Sequence, residues 1–213
     1  DRMIPYTVDN VRIKYLATST AKGHTYGADF SLGGELVKDL MSFFRVSILS
    51  ANQDVINDSY IAKDANGQNQ TIYPGYLKRP TDQKVNFSMF FQDRLFKSPT
   101  YKVHLNLLYG SRLPIGAPQI KTYTDDFSIP AYRRVDIGFS NDFLDASAKR
   151  KPKFLSKYFN SVIAYAEVFN LLNINNTVSY LWLKDVNNVN YAIPNYLTGR
   201  QLNFKLIFKI KGN

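Results

Sequence analysis

The chain has 213 residues, carries 27 Lys and Arg against 17 Asp and Glu for a formal net charge of +10, and contains no cysteine. The lack of cysteine excludes a disulfide framework and a cysteine metal site. No apolar run approaches the roughly 20 residues of a spanning helix, which excludes a helical membrane protein. An all-β membrane protein stays open, because strands that alternate between apolar and polar residues have an ordinary average hydropathy.

Alternation of apolar and polar residues predicts strands in close succession through the first half of the chain. They cover residues 10–17, 25–32 and 44–49, with a short turn at 21–23 and a stop at Gly33 and Gly34. Residues 51–83 form a long polar interval in which 64–67 predicts a turn. Long loops inside a compact domain are uncommon and are usually functional.

The second half continues the same pattern, with predicted strands at residues 85–92, 101–110, 134–143, 160–169 and 200–210, and a further extended run at 178–182. The last strand is the clearest, because apolar residues occupy one set of alternate positions and polar residues the other, with Ile207 as the one exception. Its apolar parity consists of Leu202, Phe204, Leu206, Phe208 and Ile210. Its polar parity consists of Gln201, Asn203, Lys205 and Lys209. Such a strand needs an apolar medium on one side and water on the other.

Eight neighbouring strands without a helix predict an all-β fold, arranged as an antiparallel up-and-down sheet, because parallel neighbours would need longer crossovers. The connections between these strands then fall into two groups, one at each end of the strands, called rims here. The long ones on one rim are residues 52–82, 112–130 and 184–198. The short ones on the other rim are 34–39 and 96–100, and the exceptions to this rule are 18–23 and 145–157. Long loops on one rim and short turns on the other are typical of outer-membrane barrels.

The strand at 101–110 carries a tyrosine at each end of its apolar parity. Tyr101 and Tyr109 are about 26 Å apart along an extended strand. A tilt of about 40° reduces this to about 20 Å along the membrane normal, close to the height of an apolar band between aromatic girdles. A soluble β-sandwich strand with tyrosines at its rims explains the same spacing. This strand alone therefore leaves lipid and a protein core open.

Four runs of sequence carry a resemblance to a known family, and they are residues 26–32 (YGADFSL), 129–137 (IPAYRRVDI), 166–173 (AEVFNLLN) and 196–204 (YLTGRQLNF). In this order they resemble barrel strands of the TonB-dependent receptors of the Gram-negative outer membrane, in the forms found in Bacteroidetes-like bacteria. The resemblance implies a transmembrane barrel of 22 strands. Residues 1–213 would be its C-terminal part, with about the last eight strands. The chain departs from the family by continuing with Lys209–Asn213 after Phe208, where the family usually ends on an aromatic residue.

The resemblance also implies a function, a location and partners. The protein would bind and actively import a nutrient of the siderophore, haem, oligosaccharide or peptide class across the cell outer membrane. Its partners would be outer-membrane lipid and lipopolysaccharide, its own N-terminal plug domain, the TonB energy-transducing complex acting through that plug, and a surface lipoprotein. The plug precedes the barrel in this family, and the chain opens like the middle of a longer protein. A passive porin and a soluble or surface-attached all-β binding module are the alternatives.

Two sets of residues are candidates for contacts with other molecules. Charged residues of the polar parity would face the barrel lumen and the plug, because charge on the lipid face is unfavourable. They are Arg45, Arg94, His104, Arg134, Asp136, Glu167 and Lys205, with Arg12, Lys14, Asp29, Lys102 and Asn203 on the same reasoning. Solvated wall residues or cross-strand ion pairs explain them equally.

Aromatic and polar residues of the long-loop rim would bind the nutrient by stacking and ion pairing. They are Tyr60, Tyr73, Tyr76, Arg79, Arg112, Tyr123, Trp182, Tyr191, Asn195 and Tyr196. A membrane girdle or contacts with lipopolysaccharide would use the same residue types.

Catalysis, a cofactor and nucleic-acid binding are not expected. The two histidines, His24 and His104, do not lie in a metal-ligand spacing. A hydrolase using His104, Asp136 and a serine would have partners that meet in space, but no nucleophile elbow supports it. The cations are scattered singly along strands, and the basic run at residues 149–153 indicates a solvated turn.

Overall fold

The structure is a computed structural model that describes residues 4–9, 12–15, 18–95, 98–115, 127–148 and 150–211, with backbone alone at 6–9 and 12–14. These residues form sixteen strands and one short α-helix. The strands of the first half are β1 (Tyr6–Asp9), β2 (Arg12–Tyr15), β3 (Ala21–Val37), β4 (Leu40–Val55), β5 (Tyr60–Lys63), β6 (Asn69–Ile72), β7 (Leu77–Lys78) and β8 (Val85–Arg94). Those of the second half are β9 (Tyr101–Gly110), β10 (Leu113–Ile115), β11 (Phe127–Ile129), β12 (Tyr132–Asp142), β13 (Phe159–Phe169), β14 (Thr177–Lys184), β15 (Asn190–Tyr196) and β16 (Gln201–Ile210), and the helix is α1 (Lys153–Tyr158).

One large antiparallel sheet dominates the fold, and its strands lie in the order β16-β13-β12-β9-β8-β4-β3, with the short β7 paired to β4. Every neighbouring pair in it is antiparallel. The prediction of an all-β antiparallel fold is therefore confirmed. The sheet is open, because within the described residues β3 and β16 are its two edges and do not pair with each other.

The register gives the sheet one apolar and one polar face. One row of paired residues across five strands is Leu32, Phe44, Met89, Leu107 and Val135. The row that contains Val103, four residues before Leu107 on β9, continues through Phe139, Ala166 and Phe204. Successive side chains of a strand point to opposite faces, so all of these side chains share one side, called the apolar face here. The opposite side, the polar face, carries most of the charged residues of the same strands, whereas Asp93, Arg133, Lys22 and Asp54 fall on the apolar parity near the strand ends.

The apolar face is largely uncovered within the described part of the chain. Phe204 is 75% exposed and Leu32 61% exposed. The buried hydrophobic residues of the whole described chain are few, namely Ala21, Leu40, Ala51, Leu144 and Val162. The described chain is thus one layer of sheet, without a second layer packed on its apolar side.

The connections of this sheet lie at the two ends of its strands, in agreement with the predicted rims. These two ends are called the loop edge and the turn edge, and they are distinct from the edge strands β3 and β16. The loop edge is formed by the described residues of the connections 56–84, 111–131 and 170–200, which follow β4, β9 and β13. The turn edge is formed by the described residues of the connections 38–39, 95–100 and 143–158, which follow β3, β8 and β12. Strand direction alternates along the sheet, so each connection begins and ends at the same end of the strands.

Each long connection contains a small hairpin that the sequence did not predict as such, and these are β5–β6, β10–β11 and β14–β15. The predicted turn at residues 64–67 is confirmed as the turn of the first hairpin. There Asp64 Oδ1 accepts hydrogen bonds from the backbone N–H groups of Asn66 at 2.9 Å and Gln68 at 2.8 Å. Gly67 has a φ of +78°, which glycine adopts without steric cost.

The predictions for the N-terminal strands are partly wrong. The strand predicted at 10–17 contains β2, which pairs with β1 in a separate hairpin rather than with the main sheet. The turn predicted at 21–23 is the start of β3, because Ala21, Lys22 and Gly23 pair with the far end of β4. That strand also continues beyond Gly33 and Gly34 to Val37, since pairing with β4 supports the two glycines.

The absence of a helix was also wrongly predicted, because α1 lies in the connection at residues 145–157. It has six residues, none of them buried. No helix among the described residues is long and apolar enough to cross a membrane.

Candidate functional site

The polar face brings together all of the charged residues proposed for the lumen that lie on the main sheet. By register, Arg94, Lys102, Tyr165 and Lys205 belong to one row, and His104, Glu167 and Asn203 belong to the next. Arg45 and Asp29 occupy the same face on β4 and β3, and Arg134 and Asp136 share it on β12. Arg12 and Lys14 belong to β2, outside this sheet, and their side chains are among those not described.

Asp136 is the most enclosed charge of this face, with 4% of its surface exposed. Its Oδ1 accepts hydrogen bonds from Arg134 Nε at 2.6 Å and from the backbone N–H of Asn170 at 2.9 Å. Its Oδ2 accepts one from Asn106 Nδ2 at 3.1 Å. The guanidinium of Arg134 also lies 5.1 Å from the ring centre of Phe169. A buried carboxylate with this many partners ties β9, β12 and the start of the 170–200 loop together.

The row of His104 crosses four strands. His104 Nε2 on β9 lies 3.1 Å from Glu167 Oε1 on β13, although β12 runs between these strands. The residue of β12 between them is Gly138, where an added Cβ would collide with the imidazole and would lie 3.0 Å from Glu167 Cγ. Asn203 Nδ2 on β16 donates to Glu167 Oε2 at 2.7 Å. Glycine at 138 therefore makes the space that this contact requires.

The cations nearer the ends of the face are held by neighbouring side chains. Arg45 lies 4.8 Å from the ring centre of Phe43, and Lys205 Nζ lies 4.4 Å from that of Tyr165. Arg94 forms an ion pair of 3.3 Å with Asp39 of the β3–β4 turn. The polar face is thus a rigid, charged wall in which most predicted residues already have partners from the same sheet.

At the loop edge, one group of predicted ligand residues gathers around Tyr76. The ring of Tyr76 lies 5.1 Å from that of His24, which stacks on Tyr26 at 5.9 Å. Lys22 Nζ lies 5.8 Å from the Tyr76 ring centre. The sequence indicates Tyr76 but not its neighbours, because the predicted turn at residues 21–23 hides the pairing of Lys22 with β4 and nothing in the sequence brings β3 close to residue 76.

A second aromatic group lies on the hairpins β10–β11 and β14–β15. The Phe127 ring lies 5.1 Å from Tyr180 and 5.4 Å from the predicted Trp182. A cavity of about 340 Å³ nearby is lined by residues including Tyr109, Ile129 and Val178. Tyr180 could have been found by its parity with Trp182, whereas no signal in the sequence marked Phe127.

The base of the longest loop is fixed to β12 by an amide side chain. Asn176 Oδ1 accepts a hydrogen bond from the backbone N–H of Arg133, and its Nδ2 donates to the backbone carbonyl of Arg133, each at 2.8 Å. Asn176 thereby imitates the two bonds of a strand partner and fixes the β14–β15 hairpin against the sheet.

The other predicted ligand residues are distributed over several elements of the loop edge. Tyr60 is on β5, Tyr73 follows β6, Arg79 follows β7, Arg112 follows β9, and Tyr191, Asn195 and Tyr196 are on β15. Asn195 Nδ2 donates to Ser179 Oγ at 3.0 Å, so this amide supports the hairpin. Tyr123 lies outside the described residues. The described ligand candidates therefore form two aromatic groups and several single positions rather than one pocket.

The arrangement considered for a hydrolase is not formed, since His104 contacts Glu167 and Asp136 contacts Arg134. In the described ranges, no three His, Asp or Glu side chains come together as a metal site.

Neither a family model, nor a curated protein, nor a solved structure matches the chain. Geometry alone therefore defines its class, which is an open antiparallel sheet with one exposed apolar face, one charged face and elaborated loops at one edge.

Proposed function

We propose that this chain is part of the wall of a transmembrane β-barrel in the cell outer membrane, the C-terminal part of a TonB-dependent receptor that binds and imports a nutrient. The apolar face meets lipid, the polar face lines the lumen, and the loop edge points out of the cell. Only the strand pattern, the two faces and the sided loops come from the chain itself. Energy-driven import rests on the resemblance of four sequence runs to that receptor family.

The single observation that supports a lipid-facing wall is the exposed apolar face. A soluble β-sheet buries its apolar side under a second layer, because each fully buried Leu or Phe side chain contributes about 1.5–3 kcal/mol. Here Phe204, Leu206 and Leu202 of the edge strand β16 are 75%, 62% and 69% exposed, and further exposed apolar side chains lie on β3, β4, β9 and β12. Exposed apolar surface of this extent is rare on soluble proteins and favours contact with lipid or another chain.

The rims of the apolar face favour lipid over a protein partner. Tyr101 and Tyr109 bracket the aliphatic residues of β9 and are 47% and 37% exposed. Tyrosine at this position keeps its ring in the membrane interface and its hydroxyl in water. On the other side of the sheet, Arg134 and Asp136 are hydrogen-bonded to each other, and charged residues there agree with the polar interior of such barrels.

Import then uses partners outside the described residues. The N-terminal plug domain fills the lumen against the polar face, and the TonB complex acts on that plug. A siderophore, haem, oligosaccharide or peptide is captured by the aromatic groups of the loop edge, where lipopolysaccharide and a surface lipoprotein are neighbours. The remaining strands of a 22-stranded barrel pair with β3 and β16.

The experiment that tests this proposal uses the full-length protein in its native membrane. We expect the protein to resist extraction by high salt and alkaline carbonate and to dissolve only in detergent, whereas a soluble or surface-attached binding module would be released. Uptake of the nutrient should stop when the energy-transducing complex is deleted. A passive porin would conduct without that complex, so unchanged uptake would refute active import while leaving the barrel in place.

A further inference from the structure

The turn edge carries a strongly basic segment that the proposed function does not use. Residues 146–166 contain Lys149, Arg150, Lys151, Lys153 and Lys157 and no Asp or Glu. Of these, Arg150, Lys151, Lys153 and Lys157 are described and exposed to solvent. The C-terminal end of β16 adds Lys209 and Lys211, and the Nζ of Lys211 donates a hydrogen bond to the backbone carbonyl of Ser156. Positive charge is thus concentrated at one end of the sheet, around α1.

Exposed aromatic rings lie within this basic segment. Phe154 is 73% exposed and Tyr158 48% exposed, and their rings contact each other at 5.6 Å, one helical turn apart. Lys157 Nζ lies 5.2 Å from the ring centre of Tyr158. The next residue, Phe159, contacts Phe208 of the apolar face at 5.2 Å. The exposed rings of α1 are thus followed in the chain by a ring that contacts the apolar face, which distinguishes this segment from an ordinary solvated basic turn.

A groove of about 550 Å³ lies beside this segment, between the β8–β9 turn and the β12–β13 connection. Its lining includes the hydroxyl residues Ser98, Thr100 and Ser147 together with Arg150, and the hydroxyls of Ser98 and Thr100 share a hydrogen bond of 3.2 Å. Tyr101, which belongs to the apolar face, forms another part of the wall. Hydroxyl groups and a guanidinium are the donors that bind phosphate oxygens, and arginine binds them in a bidentate manner.

One acidic residue, Asp142, lines the groove and a second, Asp145, lies close to it in the chain, and both are held in other contacts. Asp142 accepts hydrogen bonds from the backbone N–H of Leu144 at 3.0 Å and from Ser161 Oγ at 2.9 Å. Asp145 accepts one from the backbone N–H of Ser147 at 2.8 Å. The exposed basic side chains of the segment outnumber these carboxylates, so the net charge beside the groove is positive.

We propose that the groove and α1 form a binding site for the phosphate headgroup of an anionic phospholipid. The inference rests on the proposed function, in which the apolar face meets acyl chains and the turn edge lies in the opposite interface from the long loops. The headgroup phosphate contacts Arg150 and the hydroxyl groups, while Phe154 and Tyr158 enter the interface beside it. Charge complementarity and the continuity of α1 with the apolar face select a lipid over a soluble anion, which would gain nothing from the exposed rings.

The test uses the full-length protein in neutral detergent micelles at low salt. The micelles carry either phosphatidylglycerol or phosphatidylcholine, and bound lipid is counted by mass spectrometry of the intact complex. Phosphatidylglycerol should bind more tightly, and the variant Arg150→Gln/Lys151→Gln should bind it on the order of 10- to 30-fold more weakly. The matched control Lys63→Gln/Lys184→Gln removes the same charge at the loop edge and should keep the original affinity. The variant Arg150→Lys/Lys151→Arg keeps the charge and should retain the preference.

A second variant distinguishes the contribution of the aromatic rings to lipid binding from that of the charges. Phe154→Ser should weaken the binding of both lipids and leave the preference for phosphatidylglycerol unchanged, because the substitution removes apolar contact only. Unchanged binding by this variant would contradict the role given to α1.

The outcomes distinguish this inference from the proposed function. Equal binding of the two lipids, or equal losses in the two charge-neutralised variants, overturns the headgroup site alone if the protein still needs detergent for extraction. Release of the protein without detergent would refute the membrane proposal, and with it this site.

Discussion

Replacing Ile48 by arginine tests directly what covers the apolar face. Ile48 lies near the middle of β4 and is 55% exposed, so about half of its side chain packs within the chain. That packed half contributes about 1 kcal/mol, since complete burial of an aliphatic side chain is worth about 1.5–3 kcal/mol. In water the substitution should therefore cost about 1 kcal/mol. In lipid, an arginine near the bilayer midplane costs about 2–4 kcal/mol more.

The matched control is Ser47→Arg, one residue earlier on the polar face of the same strand. Ser47 pairs with Asp29 and Asn86, so an arginine there finds polar neighbours and should change stability by less than about 0.5 kcal/mol. The assay is reversible urea unfolding of the full-length protein from phospholipid vesicles. A difference between the two variants of less than about 1 kcal/mol would refute the lipid contact. A large difference that persists without lipid would instead indicate a protein cover.

Two further substitutions test the structure independently of the membrane. Gly138→Ala should destabilise the protein by about 1–3 kcal/mol, because the new methyl group displaces the His104 imidazole. Denaturant titration measures this loss. The control Gly34→Ala should be nearly neutral in the same assay, because a Cβ there meets nothing within 4 Å. Asn176→Ala should cost about 1–3 kcal/mol by leaving both backbone groups of Arg133 without their side-chain partner. Hydrogen exchange should then rise at Arg133, and an unchanged rate would show that the loop is held by other contacts.

The main strands could be predicted from the sequence because one face of the sheet is apolar along its whole length. In β9 and β16, period-two alternation appears in the sequence since successive side chains meet different media. Parity also put the residues proposed for the lumen on one face, and the register agrees for each of them that lies on the main sheet. His104 and Glu167 share a parity on different strands, but that alone does not say which charges touch.

The small elements could not be predicted, for physical reasons that differ between them. Hairpins such as β5–β6 have both faces in contact with water, so their four-residue strands show no alternation. The helix α1 has fewer than two turns, begins after Pro152 without a side-chain cap and buries nothing, so no apolar stripe marks it. The His104–Glu167 contact depends on the missing side chain at Gly138 between them, a three-strand relation that single-strand patterns do not contain.

The two free edges of the sheet connect the fold to the membrane proposal. The edge strand β3 has 17 residues and β16 has 10, and on the outer side of each no strand of the described ranges pairs with its backbone N–H and C=O groups. Unpaired backbone groups are very unfavourable in lipid, so a sheet with a lipid-facing side must close on itself or continue into further strands. The described strands do not close, and an exposed apolar face with open edges would promote aggregation of a soluble protein. Lipid on the apolar face therefore requires neighbouring strands at both edges, whereas a soluble module would have to cover the face and both edges by other means.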